Sequence, residues 1–104
     1  MKLKTGTTET LDRVIHERAR LAIVSALAAE PEMSFPEIKV VTGLTDGNLS
    51  VQLKTLEIAG YVSLRKSEEG GRKSRTAARL TGAGRRAFAS YLAALDRVLG
   101  KWRK

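Results

Sequence analysis

From Leu11 to Ala29 the apolar residues recur at helical spacing. Leu11, Val14 and Ile15 come first, then Leu21, Val24 and Ala28, with Ile23 and Leu27 beside them. Steps of three and four stack side chains on one face, so this span predicts a helix. The wide apolar coverage after Arg20 predicts burial on most sides. The apolar stripe shifts phase at His16-Glu17, which leaves open two helices meeting there. Glu30-Pro31-Glu32 ends the element, because proline disfavours helix in the residue before it. Residues 1–10 are polar and are expected to fray.

Ser34-Phe35-Pro36-Glu37 has the spacing of a capping box, in which serine accepts from an early amide and the glutamate reaches back. Proline is tolerated in that first turn. The short helix should end at Gly43, which suits a left-handed C-terminal position. Thr45 is a second N-cap candidate, with Asp46 at the positive end of a helix running from about Asp46 to Ala59 and stopping at Gly60.

Beyond Gly60 the period changes. Tyr61-Val62-Ser63-Leu64-Arg65-Lys66 alternates apolar and polar, with Val62 and Leu64 on the inward side. A polar, glycine-centred loop follows over residues 67–74, and alternation resumes from Arg75 to Leu80 with Thr76, Ala78 and Leu80 on one face. Thr81 caps a last helix from about Gly82 to Trp102. Phe88, Tyr91, Leu92, Leu95, Val98, Leu99 and Trp102 form one apolar stripe along it.

Two helices joined by a tight Gly-Leu-Thr turn, then a hairpin, define a winged helix-turn-helix. The expected architecture is mainly α with a small β-hairpin, in a single domain covering residues 1–104. Residues 34–60 form the helix-turn-helix, 61–80 the wing hairpin and 81–104 a C-terminal dimerisation helix.

Charge sharpens this picture. The 104-residue chain has 19 Lys and Arg against 11 Asp and Glu, a formal net charge of +8, which favours a polyanionic partner. Residues 65–86 hold eight of the basic side chains (Arg65, Lys66, Arg72, Lys73, Arg75, Arg79, Arg85 and Arg86) against Glu68 and Glu69 alone. Arg72, Lys73 and Arg75, at the loop and on its return limb, are the expected phosphate contacts of the wing, and Glu68 and Glu69 are expected on the side away from DNA.

In the second helix of the motif, Leu49, Leu53 and Leu56 share a face and should anchor it in the core. At about 100° per residue the opposite face carries Gly47, Val51, Lys54, Thr55 and Ile58, flanked by Asn48, Ser50 and Gln52. Small and polar side chains near a helix N-terminus suit entry into the major groove. Asn and Gln can pair with adenine edges, Ser reads either kind of edge, and Val51 can touch a thymine methyl. Gly47 permits close backbone approach to phosphate. Gly47, Asn48, Ser50, Val51, Gln52, Lys54 and Thr55 are therefore the predicted recognition residues, while the outward Ile58 has no assigned role.

The C-terminal stripe is large for a core already served by the hairpin. Its Tyr91, Leu92, Leu95, Val98, Leu99 and Trp102 are expected to pair with Leu11, Val14 and Ile15 of a second subunit. A homodimer also suits DNA, since two recognition helices can read half-sites about one turn apart.

Other functions find no residues. There is no cysteine, and His16 is the only histidine, so neither a disulfide nor a typical transition-metal site is expected. His16 is read as structural. No triad-like setting, phosphate loop before a helix or carboxylate cluster is present, so no catalytic residues, no cofactor and no enzyme are expected. The opening Met-Lys-Leu-Lys-Thr-Gly is not a signal peptide, and no run approaches the roughly 18 apolar residues of a membrane span. The expected location is the cytoplasm, with no membrane partner.

The segment Ile15 to Ile23 resembles the opening helix of small bacterial and archaeal winged-helix regulators. Leu44-Thr45-Asp46-Gly47-Asn48-Leu49-Ser50, with Leu53, Leu56, Glu57, Gly60, Tyr61 and Val62, resembles their recognition helix and following strand. Leu80-Thr81 with Gly84-Arg85 resembles the entry to their last helix. Together these identify residues 11–88 as similar to the MarR-like winged-helix family, in a short form close to the ArsR type. The resemblance implies a dimeric transcription factor joined through its terminal helices, with DNA contacts from Asn48 through Thr55 and the wing. Two positions depart from it. Val51 and Gln52 stand where a basic residue is frequent, and Gly82 stands where proline is common. Metal-sensing members need Cys or His ligands that this chain lacks. A small-molecule effector at the dimer interface is compatible with the family, but no residue indicates one.

The leading expectation is a sequence-specific regulator of transcription that binds double-stranded DNA, acting as a repressor. A winged-helix protein-interaction module and a non-specific architectural DNA binder remain the alternatives. The outward Asn48, Ser50, Val51 and Gln52 favour the first, because an architectural binder would need only basic residues there.

Overall fold

The first helix begins at Arg18 rather than Leu11. The computed structural model describes residues 11–68 and 74–100, with side chains over 11–66 and 76–100. Asp12 Oδ1 accepts from the amides of Val14 at 2.8 Å and Ile15 at 3.0 Å, and these local bonds fold residues 12–15 into a turn. Glu17 then serves as N-cap, its carboxylate accepting from Arg20 N at 2.9 Å, and α1 runs Arg18–Ala29. That backbone hydrogen bond holds the Glu17 carboxyl below its ordinary pKa. The phase shift at His16-Glu17 therefore marks the end of a turn, not a junction of two helices.

Next comes β1 (Met33–Ser34), a strand the sequence does not predict because two residues show no alternation. Helix α2 (Phe35–Thr42) opens on the full capping box. Ser34 Oγ accepts from Glu37 N at 3.2 Å, and Glu37 Oε1 accepts from Ser34 N at 2.8 Å. It closes at Gly43, whose φ of 74° is the left-handed conformation that glycine adopts without strain. Helix α3 (Asp46–Ile58) is capped by Thr45, whose hydroxyl accepts from Asn48 N at 3.1 Å.

Strands β2 (Val62–Glu68) and β3 (Ser74–Leu80) pair antiparallel, Val62 opposite Leu80 and Leu64 opposite Ala78. β1 adds to the far side of β3 through Met33–Ala78 and Ser34–Ala77, giving the order β1-β3-β2. The hairpin is thus part of a three-stranded sheet.

Helix α4 (Gly82–Gly100) leaves the sheet at Thr81. The Thr81 hydroxyl accepts from Gly84 N at 3.0 Å and donates to Gly60 O at 2.6 Å, binding the exit of α3 to the entry of α4. Gly84 is buried against Tyr61, and a Cβ there would overlap the Tyr61 carbonyl oxygen.

One core joins these elements. Ile23, Val24 and Leu27 of α1 meet Ile38 of α2, Leu49, Leu53 and Leu56 of α3, and Met33, Val62, Ala78 and Leu80 of the sheet. Each large aliphatic side chain buried this way contributes roughly 1.5–3 kcal/mol. Ile15 and Tyr91 are also buried within the chain, which corrects their expected place on a subunit interface. The turn before α1 carries Ile15 inward, and the Tyr91 hydroxyl lies 2.9 Å from His16 Nδ1, so Tyr91 closes α4 onto its own protomer.

Candidate nucleic-acid interface

Helix α3 is held from behind and open in front. Leu49, Leu53 and Leu56 are buried as their spacing requires, and Lys39 Nζ of α2 pairs with Asp46 Oδ1 at 2.7 Å across the turn. On the far side Gly47, Asn48, Ser50, Val51 and Lys54 are exposed. Val51 is 61% exposed and Ile58 78%, so this face carries apolar contact area as well as polar groups.

The polar groups are not all free. Gln52 is half-buried, and its Oε1 accepts from Arg20 Nη1 of α1 at 2.7 Å. Its Nε2 donates to Asn48 Oδ1 at 3.0 Å, so the two recognition amides form a chain anchored on α1. The Thr55 hydroxyl donates to Val51 O within its own helix at 3.2 Å. Lys54 lies 3.3 Å from Glu57 in an exposed pair, which restrains its cation only weakly.

Arg20 had no assigned role in the sequence. Its signal there is slight: it is the last charged side chain before the apolar run of 21–29. In the structure its side chain is 19% exposed, and its Nε donates to Val14 O at 2.6 Å.

In the wing, Arg72 and Lys73 lie outside the described residues. Arg75 sits on β3 opposite Ser67, with its side chain outside the described set. Arg65 is committed to a bidentate pair with Glu32, both bonds at 2.9 Å, which ties β2 to the segment before β1. The Arg65 hydrogen bonds hold the Glu32 carboxyl below its ordinary pKa. Lys66, Arg79, Arg85 and Arg86 are exposed, so a basic surface extends from the hairpin to the first turn of α4.

The stripe on α4 divides in two. Tyr91 and Ala94 face the protomer's interior, whereas Leu92 is 47% exposed, Leu99 44%, and Leu95 and Val98 are half-buried. Leu11 and Val14 are half-buried, Val14 against the core, and Trp102 lies outside the described residues. Among the described residues no cluster of three His, Asp or Glu side chains is placed to hold a metal ion, and no helix is long and apolar enough to cross a membrane.

Three helices, the second and third joined by a tight turn, with a basic hairpin after them, make this a winged helix-turn-helix protein. Residues 19–99 match the family described as "Winged helix DNA-binding domain", and the chain belongs to that family. It is 35% identical over 80 residues to an uncharacterised protein of Methanocaldococcus jannaschii, covering 77% of this chain and 86% of that one. A transcriptional regulator homologue from Pyrococcus horikoshii superposes with a TM-score of 0.82 at 26% identity, covering 89% of this chain and 91% of its own. A MarR-family regulator from Silicibacter pomeroyi shares the fold, with a TM-score of 0.58 at 23% identity over 89% of this chain and 64% of that one.

Proposed function

We propose that this protein is a homodimeric, sequence-specific transcriptional regulator that inserts α3 into the major groove and represses by occupying promoter DNA. One observation carries the reading. In a member of a DNA-binding family, a helix anchored by three buried leucines turns Asn48, Ser50 and Val51 outward, next to a basic surface. Those residue types can address base edges, which a purely electrostatic binder does not require. Arg72, Lys73 and Arg75 of the wing contact the flanking backbone in this reading. Likeness to the Pyrococcus horikoshii transcriptional regulator homologue supports a role in transcription. The reading assigns the chain no catalytic chemistry and places it in the cytoplasm.

The exposed Leu92 and Leu99, with Leu95 and Val98 beside them, support a dimer through α4. Such a dimer would present two copies of α3 to half-sites about one helical turn apart. Selection of duplexes from a pool with a random core tests the proposal. An enriched inverted repeat with that spacing is the expected result. Retention of duplexes without any enriched sequence would contradict it and favour an architectural binder.

A further inference from the structure

The chemistry of the Arg20–Gln52–Asn48 chain restricts what α3 can read. A guanidinium carries donors and no acceptor, so the Gln52 atom 2.7 Å from Arg20 Nη1 must be the amide oxygen. The Gln52 nitrogen then faces Asn48, which must present its own oxygen at 3.0 Å. Neither amide can flip without setting like against like. Arg20 is itself held, by its Nε bond to Val14 O at 2.6 Å and by Glu17 Oε1, 3.9 Å from Nη1.

The consequence lies on the exposed side. The Gln52 oxygen is turned toward α1 and bound to a cation, and the Asn48 oxygen is bound to Gln52. What remains are amide hydrogens, two on Asn48 Nδ2 and one on Gln52 Nε2. An adenine edge needs an acceptor beside a donor, because it offers N6–H and N7 together. Guanine offers two acceptors, O6 and N7.

We propose that Arg20 is a specificity-determining positioning residue, which fixes Asn48 and Gln52 as a donor-only pair and so commits α3 to guanine rather than adenine at the base facing them. This rests on the proposed function of α3 as the recognition helix. Arg20 acts through Gln52 and needs no contact with DNA of its own.

The test is a panel of duplexes carrying the selected site and each of its single base-pair replacements, titrated by fluorescence anisotropy with the wild type, Arg20→Met and Gln52→Glu. The wild type is expected to lose about tenfold or more in affinity when the guanine facing the pair becomes adenine. Arg20→Met keeps much of the apolar stem but releases the Gln52 amide, and that discrimination should fall to within about threefold. Gln52→Glu keeps an acceptor for Arg20 and loses the donor, so its preference should move from guanine toward cytosine. Gln52 lies on the outer surface of α3, so this variant decides the matter if Arg20→Met does not fold. A folded Arg20→Met with unchanged base discrimination, a Gln52→Glu that still prefers guanine, or a wild type that prefers adenine would overturn the inference. Absence of any duplex binding by the wild type would overturn the function on which it rests.

Discussion

The Tyr61 hydroxyl donates to Asp12 Oδ2 at 2.5 Å, joining the residue that follows α3 to the turn that precedes α1. The hydrogen bond to Asp12 is the main reason the phenol pKa is raised from 10.0 to about 12, with burial and the Asp12 charge acting in the same direction. Below pH 10.0 the phenol is protonated in folded and unfolded chains alike, and the bond contributes in full. Between 10.0 and about 12 the unfolded chain ionises first, so this contribution shrinks as pH rises. Tyr61→Phe should cost on the order of 1–2 kcal/mol near neutral pH. The difference from wild type should fade across that alkaline window. Urea denaturation of both proteins at several pH values checks it; a constant difference would rule out this bond as the cause.

Gly84 and Gly82 sit in the same turn but should respond oppositely to alanine. A methyl group at Gly84 would overlap the Tyr61 carbonyl, a backbone atom that also accepts from Thr81 N at 3.0 Å and cannot swing aside. Gly84→Ala should destabilise by about 1–3 kcal/mol. At Gly82 a methyl group meets only the end of the Arg86 side chain at 3.4 Å. Gly82→Ala should be neutral or stabilise by up to about 1 kcal/mol through helix propensity. Thermal unfolding of the two variants reads both signs.

The exposed apolar side of α4 gives a prediction about assembly. Leu92→Glu with Leu99→Glu places charge on two side chains that the protomer leaves 47% and 44% exposed, so the folded chain should be little disturbed. Sedimentation should show a monomer with weakened DNA affinity. A variant that stays dimeric would move the interface elsewhere on the protein.

The wing is expected to contribute affinity without selectivity. Lys73→Ala should weaken binding to every duplex alike and reduce the salt dependence by about one phosphate contact. Titration over a range of salt concentrations measures the slope; an effect confined to one sequence would assign Lys73 to base reading.

The elements were legible in the sequence where caps and periodicity agreed. Ser34 with Glu37, Gly43, Thr45 and the leucines at 49, 53 and 56 all act as their spacing requires. The start of α1 was not legible, because Asp12 takes two amides that a helix would otherwise use. The strand Met33–Ser34 exists only through its pairing with β3, a long-range contact with no local signature. Ile15 and Tyr91 looked like interface residues because apolar spacing shows which residues share a face, not what covers it. The same limit applied to Gln52, whose partner Arg20 lies 32 residues away on another helix.

The central claim is that the outward face of α3 distinguishes DNA sequences. Fluorescence anisotropy of the purified protein against the DNA upstream of its own gene and a shuffled duplex, from about 50 to 300 mM salt, addresses it most directly. The account predicts tight, salt-sensitive binding with a clear preference for the native duplex that persists as salt rises. Equal affinity for both duplexes at every salt concentration would contradict it.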